Sequence, residues 1–468
     1  MHELVVRGGR LGLCSGWCEA DLAVDDGRIT AIGKGLVGRH EIAADGMWVL
    51  PGGVDPHCHV AQPGWAGQEM AEGFASAGRA ALAGGTTTIL PFAVPDAGQD
   101  MRAGLARAMA LAEGVCPVDY GFHAVSTMAA GDPGAQMPGL VAAGVTSVKA
   151  FTTYEGFAVT DAWLLALMDA AAAAGALVMV HPENDAIVAH ATAGLIASGR
   201  TGLAWHAASR PELAEVEAIG RVAALARTSG ARVKIVHVSG AGALAAVRQG
   251  RALGARLLAE TCPQYLFQPD APADDAAAAR HLFSPPARGA GAVPALWQGL
   301  EQGAIEIWSS DHSPHALSGK LDGDGPARFD RAISGVPGLQ TRLPLLFSEG
   351  LVTGRIDLPR YLELAGAAAA RAYGLPGKGR IAPGADADLV LWDPARRGRI
   401  RDADQHSAAG YSPFDGREVT GCPVTVLLRG EIAHEAAAAA PFPGPARGRF
   451  LHRAPLTRPA PLPEEIQP

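Results

Sequence analysis

From residue 52 to residue 311 the chain alternates short, almost wholly apolar segments with Ala-rich stretches of helical period, and it does so eight times. A strand that is apolar at every position is buried on both faces, which happens when helices cover a parallel sheet on either side. The pattern predicts strands near 52–59, 86–92, 119–125, 145–151, 177–181, 233–238, 256–261 and 305–311. Eight is the number of strands that closes a parallel βα sheet on itself. The expected fold is therefore α/β, a (β/α)8 TIM-like barrel over 51–377. Gly84-Gly85 before Thr86 reads as a tight helix-to-strand turn, because a phosphate cradle would need its glycines to open a helix.

The flanks have a different character. Before residue 51 come LVVRGG, then DLAVDDGRITAIG with Asp26-Gly27 as a hairpin signal, then MWVLPG. After residue 377 β character returns in GRIAPGADADLVLWDP and PVTVLLRGEIAHE. Neither end has enough strands to bury a face alone, so 1–50 and 378–440 are expected to join in one small β-sandwich. The Pro/Ala-rich tail, 441–468, cannot build a core of its own and is expected to lie on a neighbouring surface or stay loose.

Composition narrows the function classes. The net charge is −8 and basic residues form no dense cluster, which removes the electrostatic footprint expected of a nucleic-acid binder. The opening MHELVVRGGRLGL has no apolar run behind a basic flank, so a cytoplasmic protein is expected. The nearest approach to a membrane span, Ala162 to Val180, is interrupted by Asp169 and split by Gly175, and a helix followed by a strand describes it better. Six scattered cysteines give neither a disulfide framework nor a zinc knuckle, since Cys14 and Cys18 have no second pair at suitable spacing.

The chemistry is carried by residues where strands end. In PGGVDPHCHV, His57 and His59 stand two apart and project to one face, so both imidazoles can reach one metal while Cys58 points away. Lys149 closes VTSVKAF, His181 closes LVMVH, His237 closes VKIVH and Asp311 closes IWSSD. One buried histidine is commonly a hydrogen-bonded core residue, but six such side chains at the same end of five strands point to a metal site at the C-terminal rim. Lys149 needs its own argument, because an ammonium among cations is repelled and burial favours the neutral amine. A neutral amine can add carbon dioxide, and the resulting carbamate is an anionic oxygen ligand able to bridge two metals.

These segments, with AGGTTTILPFA, DYGFH, VHPEN, VHVSG, ETCPQYLF, FSPPAR, SSDHSPH and GVPGLQTRLPLLF in this order, resemble the cyclic amidohydrolases: dihydropyrimidinase, hydantoinase, allantoinase and dihydroorotase. The likeness runs nearly end to end. It implies two divalent metal ions, zinc first, with manganese, cobalt and iron also suited to such ligands. His57 and His59 would hold the more buried metal and His181 and His237 the more exposed one. Carboxylated Lys149 would bridge them, with Asp311 completing the coordination of the first metal. The implied reaction is hydrolysis of a ring amide, in which water between two cations becomes hydroxide and attacks the carbonyl, and Asp311 passes a proton to the departing nitrogen. Tyr154, five residues after Lys149, matches the tyrosine that binds substrate and the developing oxyanion, and Ser284 matches a serine on the imide. Ser334 stands where hydantoinases often have Asn, which bears on ring size or substituent. The resemblance also implies a homo-oligomer, dimer or tetramer.

SDHSP and GLQ look somewhat allantoinase-like, whereas Tyr154, DYGFH, ETCPQYL and RLPLLFSEG favour the dihydropyrimidinase and hydantoinase branch. A reading of another class is a non-catalytic assembly protein on the same fold, against which all six ligand positions are filled. His123 and His206 read as loop-ordering residues and are left outside the site.

Overall fold

The computed structural model describes residues 1–63, 70–268, 274–321 and 327–456. The eight apolar segments form one parallel sheet: Gly53–Cys58, Thr86–Ala93, Asp119–Tyr120 with His123–Val125, Ser147–Phe151, Leu177–His181, Arg232–Ile235, Arg256–Thr261 and Ile307–Trp308. The ends meet where Cys58 pairs in parallel with His312 and the His59 N–H donates to the His312 carbonyl at 2.7 Å. This is the (β/α)8 barrel the alternation predicts. Two strands are less regular than their pattern. The third is broken at Gly121-Phe122, and the last keeps only Ile307–Trp308 in the ladder before the backbone turns left-handed at Asp311, φ 46°.

Inward-facing Val54, Leu90, Phe92, Val125, Met179, Val236 and Ile307 pack with Tyr373 and Leu375 from the helical segment that follows the barrel. The interior is therefore solid, and chemistry is left to the rim where the strands end. The candidate span at Ala162 to Val180 is a helix, Asp161–Ala174, stopped by Gly175 in the left-handed conformation, followed by the strand Leu177–His181. Among the described residues no helix is long and apolar enough to cross a membrane. All six cysteines are free.

Both chain ends build the second unit. A four-stranded sheet runs Arg28–Gly33, Asp21–Asp25, His2–Arg7, Gly38–Ala43, and a six-stranded one runs Glu431–Glu435, Glu418–Leu428, Leu389–Arg399, Trp48–Pro51, Arg10–Leu13, Gly16–Glu19. Leu4, Val6, Leu22 and Val24 from one end share a core with Ala387, Leu389, Leu391 and Leu427 from the other. Asp26 and Gly27 both have positive φ, 50° and 72°, the geometry of a tight hairpin turn. Three strands escaped the sequence reading: Arg10–Leu13, Gly16–Glu19 and Gly38–Ala43, short segments rich in glycine or charge.

Up to residue 456 the tail is anchored to the N-terminal end of the barrel, and 457–468 lie outside the described residues. Tyr120 N–H donates to the Arg449 carbonyl at 3.0 Å, and the N–H groups of Leu451, Arg453 and Leu456 donate to Tyr120, Gly144 and Gly175. The break in the third strand is where this added segment docks. Arg453 is fully buried, donating from Nη1 to Ser147 Oγ at 2.9 Å and from Nη2 to the Phe122 carbonyl, and burial pulls its pKa down to about 10. Ser147 Oγ also meets His123 Nδ1 at 2.6 Å, and His123 Nε2 lies 3.0 Å from the Pro56 carbonyl, so His123 is fully engaged in structure. Arg453→Ala should lower stability by about 3 kcal/mol, because it strands two buried acceptors and opens a cavity. Chemical denaturation reads this, and an unchanged midpoint would contradict the docking role.

Candidate functional site

At the C-terminal rim the strand ends deliver their side chains to one cavity of about 700 Å³. His57, His59, Lys149, His181, His237 and Asp311 line it, and so do Tyr154, Ser284 and Ser334. Six non-glycine residues have positive φ among those described, and three of them are Tyr154 at 80°, His237 at 39° and Asp311 at 46°. Such backbone is uncommon outside glycine, though His and Asp adopt it more readily than Tyr, and its concentration here marks a place where side-chain direction outweighs local comfort.

The donors fall into two groups. Nitrogens of His57 and His59 and an Asp311 oxygen all lie within 4.8 Å of one another. His57 Nε2 is 3.1 Å from Asp311 Oδ1 yet makes no hydrogen bond of ordinary geometry, a costly state for a buried polar atom that a cation would resolve. On the other side, His237 Nε2 and His181 Nδ1 face each other at 2.9 Å. Burial holds His59, His181 and His237 below the usual imidazole range, so they are neutral and able to donate lone pairs at neutral pH. Burial opposes ionisation of Asp311, but His57 and His59 outweigh it and keep the carboxyl well below its ordinary value. The donor set suits a divalent cation.

Lys149 sits beside both groups, with its Nζ 4.9 Å from the Phe92 ring centre and 5.0 Å from that of Phe151. Burial brings its pKa down to about 7 against the pull of the Asp311 and Glu260 carboxylates. A substantial fraction of the amine is then neutral at pH 7.

The supporting residues were not singled out in the sequence. Glu260 accepts from Lys234 Nζ and pairs with His57 Nδ1, all three buried, which leaves His57 Nε2 to face the cavity. Lys234 and His57 hold Glu260 at about 2 despite its burial. Glu183 Oε2 meets His181 Nε2 at 2.7 Å and Arg210 Nη1 at 2.6 Å, and these partners likewise hold it at about 2 against burial. A charge inside an apolar strand, as in VKIV or LLAET, is the available signal, since such a charge is tolerated only when paired.

On the opposite wall Ser284 Oγ lies 3.2 Å from both Ser334 Oγ and His206 Nε2. His206 is thus more than a loop anchor: it bonds the Phe283 carbonyl at 3.0 Å and faces the cavity. Gly335 has φ 140°, a Cβ there would stand 2.4 Å from the Ser313 carbonyl oxygen, and its own carbonyl accepts from Lys320 Nζ at 2.5 Å. Only glycine fits, so the Ser334-Gly335 backbone is fixed. Burial pushes the Tyr154 phenol up to about 12 and keeps it a neutral donor.

Residues 48–433 match the profile of the amidohydrolase family. The chain is 37% identical to a D-hydantoinase of Ralstonia pickettii over 458 residues, 96% of this chain and 99% of the relative. Among solved structures it is similar to a D-hydantoinase from a Bacillus sp. (TM-score 0.91, 34% identity, 97% of this chain and 100% of that one). It is also similar to a dihydropyrimidinase from Brevibacillus agri (TM-score 0.91, 33% identity, 98% and 100%).

The Lys234, Glu260, His57 chain makes a measurable demand. Glu260→Ala leaves Lys234 buried in the barrel without its carboxylate, either as an uncompensated charge or as an amine that must lose its proton to stay there, which should cost about 3–5 kcal/mol in denaturation. Adding Lys234→Met should recover most of that loss. A single variant as stable as the parent, or a double variant no better than the single, would contradict the pairing.

Proposed function

The chain belongs to the amidohydrolase family, and from that premise we propose that it hydrolyses the ring amide of a substituted hydantoin, dihydropyrimidine or related cyclic ureide. The observation that carries this reading is the convergence of six metal-type donors and three polar substrate-type groups on one cavity. Family membership brings divalent-metal binding with it. We assign His57, His59 and Asp311 to one ion, His181 and His237 to a second, and Lys149, as N6-carboxylysine, to both. Zinc is the first choice for such nitrogen and oxygen donors. Carboxylation balances simply: the neutral amine forms an N–C bond to carbon dioxide and releases a proton. The ions, when bound, supply the acidity that makes water a nucleophile at neutral pH and polarise the ring carbonyl.

The chain's own residues do the remaining work. Ionised Asp311 accepts a proton from water as the new C–O bond forms, and returns it to the ring nitrogen as the C–N bond breaks. Tyr154 donates a hydrogen bond to the carbonyl oxygen as negative charge gathers there. Ser284 and the fixed Ser334-Gly335 segment align the imide edge of the ring. Phe151, Phe157, Phe283, Phe329 and Ile333 give the cavity apolar walls, and a bare five- or six-membered ring would leave most of about 700 Å³ empty. An apolar ring substituent fits that space. The named relatives favour the hydantoinase and dihydropyrimidinase branch over allantoinase. The proposal extends to a cytoplasmic assembly of two or four copies, which sedimentation and cell fractionation would read.

The test is ring opening of hydantoin, 5-substituted hydantoins, dihydrouracil and allantoin by metal-loaded enzyme, with metal content determined on the same sample. Substituted hydantoins or dihydrouracil should be opened and allantoin left largely untouched. Asp311→Asn should lower turnover about 10²–10⁴-fold while metal is largely retained, since the amide keeps one oxygen but cannot carry the proton. Preference for allantoin would overturn the substrate assignment, and undiminished turnover by Asp311→Asn would overturn its role.

A further inference from the structure

Arg210 is a mostly buried cation on the cavity wall, its side chain 13% exposed, that neither the metal set nor the substrate contacts use. Its guanidinium carbon lies 4.9 Å from the centre of the Tyr154 ring, and its Nη1 donates to Glu183 Oε2 at 2.6 Å. The same carboxylate oxygen meets His181 Nε2 at 2.7 Å, which fixes that ring so that Nδ1 faces His237. One side chain therefore touches both the phenol and the carboxylate that orients a donor histidine. We propose that Arg210 is a positioning residue, which sets the direction of the Tyr154 hydroxyl relative to the His181 side of the metal cluster.

The inference rests on the assignment of Tyr154 as the donor to the developing oxyanion. Tyr154 has φ 80°, so its local backbone preference works against the observed orientation and packing must hold it. Phe151 and His181 flank the ring at centroid distances of 6.1 and 5.0 Å and Ser284 hydrogen-bonds the hydroxyl, while the guanidinium bears on the face of the ring itself. Arginine suits the task because its planar group stacks on the ring face while its edge donates to a carboxylate, and a lysine ammonium cannot do both. Arg210 is itself held: Arg288 Nη1 donates to its carbonyl at 2.5 Å, and Arg288 is anchored by Glu215 at 3.1 Å and Ser239 Oγ at 2.9 Å. Paired with Glu183, Arg210 brings little net charge to the wall. That argues against a subsite for an anionic substituent and for control of geometry.

A double-variant cycle on the metal-loaded enzyme tests this, with kcat, KM and metal content measured for the parent, Arg210→Lys, Tyr154→Phe and the combination, using hydantoin ring opening as the assay. Lysine keeps a charge beside Glu183 but loses the stack. Arg210→Lys should lower kcat about tenfold in the parent, with KM and metal content nearly unchanged, and should lower it less than about threefold once Tyr154 is Phe. Arg210→Gln serves in the same cycle if the lysine variant gives no soluble enzyme. Equal losses in both backgrounds, a parent-like kcat for Arg210→Lys, or a loss that follows metal content would overturn the proposal. A Tyr154→Phe enzyme as fast as the parent would overturn the oxyanion assignment and this coupling with it. A slow Tyr154→Phe enzyme on which Arg210→Lys still acts with full force would overturn the coupling alone.

Discussion

Desolvated charge at the rim of the barrel is the constraint on which the rest of this site depends. Lys149 is buried against two aromatic rings, and among the described residues it forms no ion pair. Three cations near the site have a carboxylate in contact, Lys234 with Glu260, Arg210 with Glu183 and Arg288 with Glu215, whereas buried Lys320 on the far side of Gly335 rests on the Ala279 and Gly335 carbonyls and, like Lys149, is brought down to about 7 by burial. The difference decides protonation state. Paired cations stay charged because the Coulomb attraction offsets the loss of hydration, whereas the unpaired lysines are driven toward the neutral amine, and of these Lys149 is the one among the donor side chains. Burial works in the same direction on the His59, His181 and His237 imidazoles and exposes their lone pairs, while His57 and His59 stabilise the Asp311 carboxylate.

Around that centre the fold places charge in layers. Residues facing the cavity are donors without carboxylate cover, apart from His57 and His181, whose far nitrogens are held by Glu260 and Glu183. Fixing one nitrogen of each ring decides which nitrogen faces inward, so the carboxylates set donor direction without entering the cavity. Behind them the barrel interior is filled, and the tail seals the opposite end through Arg453. The rigidity of that support is what allows Tyr154, His237 and Asp311 to keep unfavourable backbone angles.

Much of the fold and the cavity-facing residues was legible in the chain because the signals are local. Apolar strands alternating with helical stretches report a covered parallel sheet, and His57 and His59 report a shared face by a spacing of two. Residues that depend on neighbours distant in sequence were not legible. Lys234 and Glu260 meet because two strands pair in one particular register, in which Lys234 stands opposite Leu258, and no periodicity carries that information. Arg210 lies after a short helix, where nothing local distinguishes it from a solvent-facing arginine. The tail, with no core of its own, could be read only as lying on a neighbouring surface or loose, and the surface that orders it up to residue 456 is given by docking on the barrel.

The central claim is that burial makes Lys149 a neutral amine that carries a carbamate in the working enzyme. The most direct measurement is carbon-13 NMR of the zinc-loaded protein prepared in ¹³C-labelled bicarbonate, compared with Lys149→Ala prepared alike. The account predicts one slowly exchanging carbamate resonance per chain in the parent, absent from the variant. A fully active, metal-loaded enzyme without that resonance, or a resonance that survives in Lys149→Ala, would contradict it.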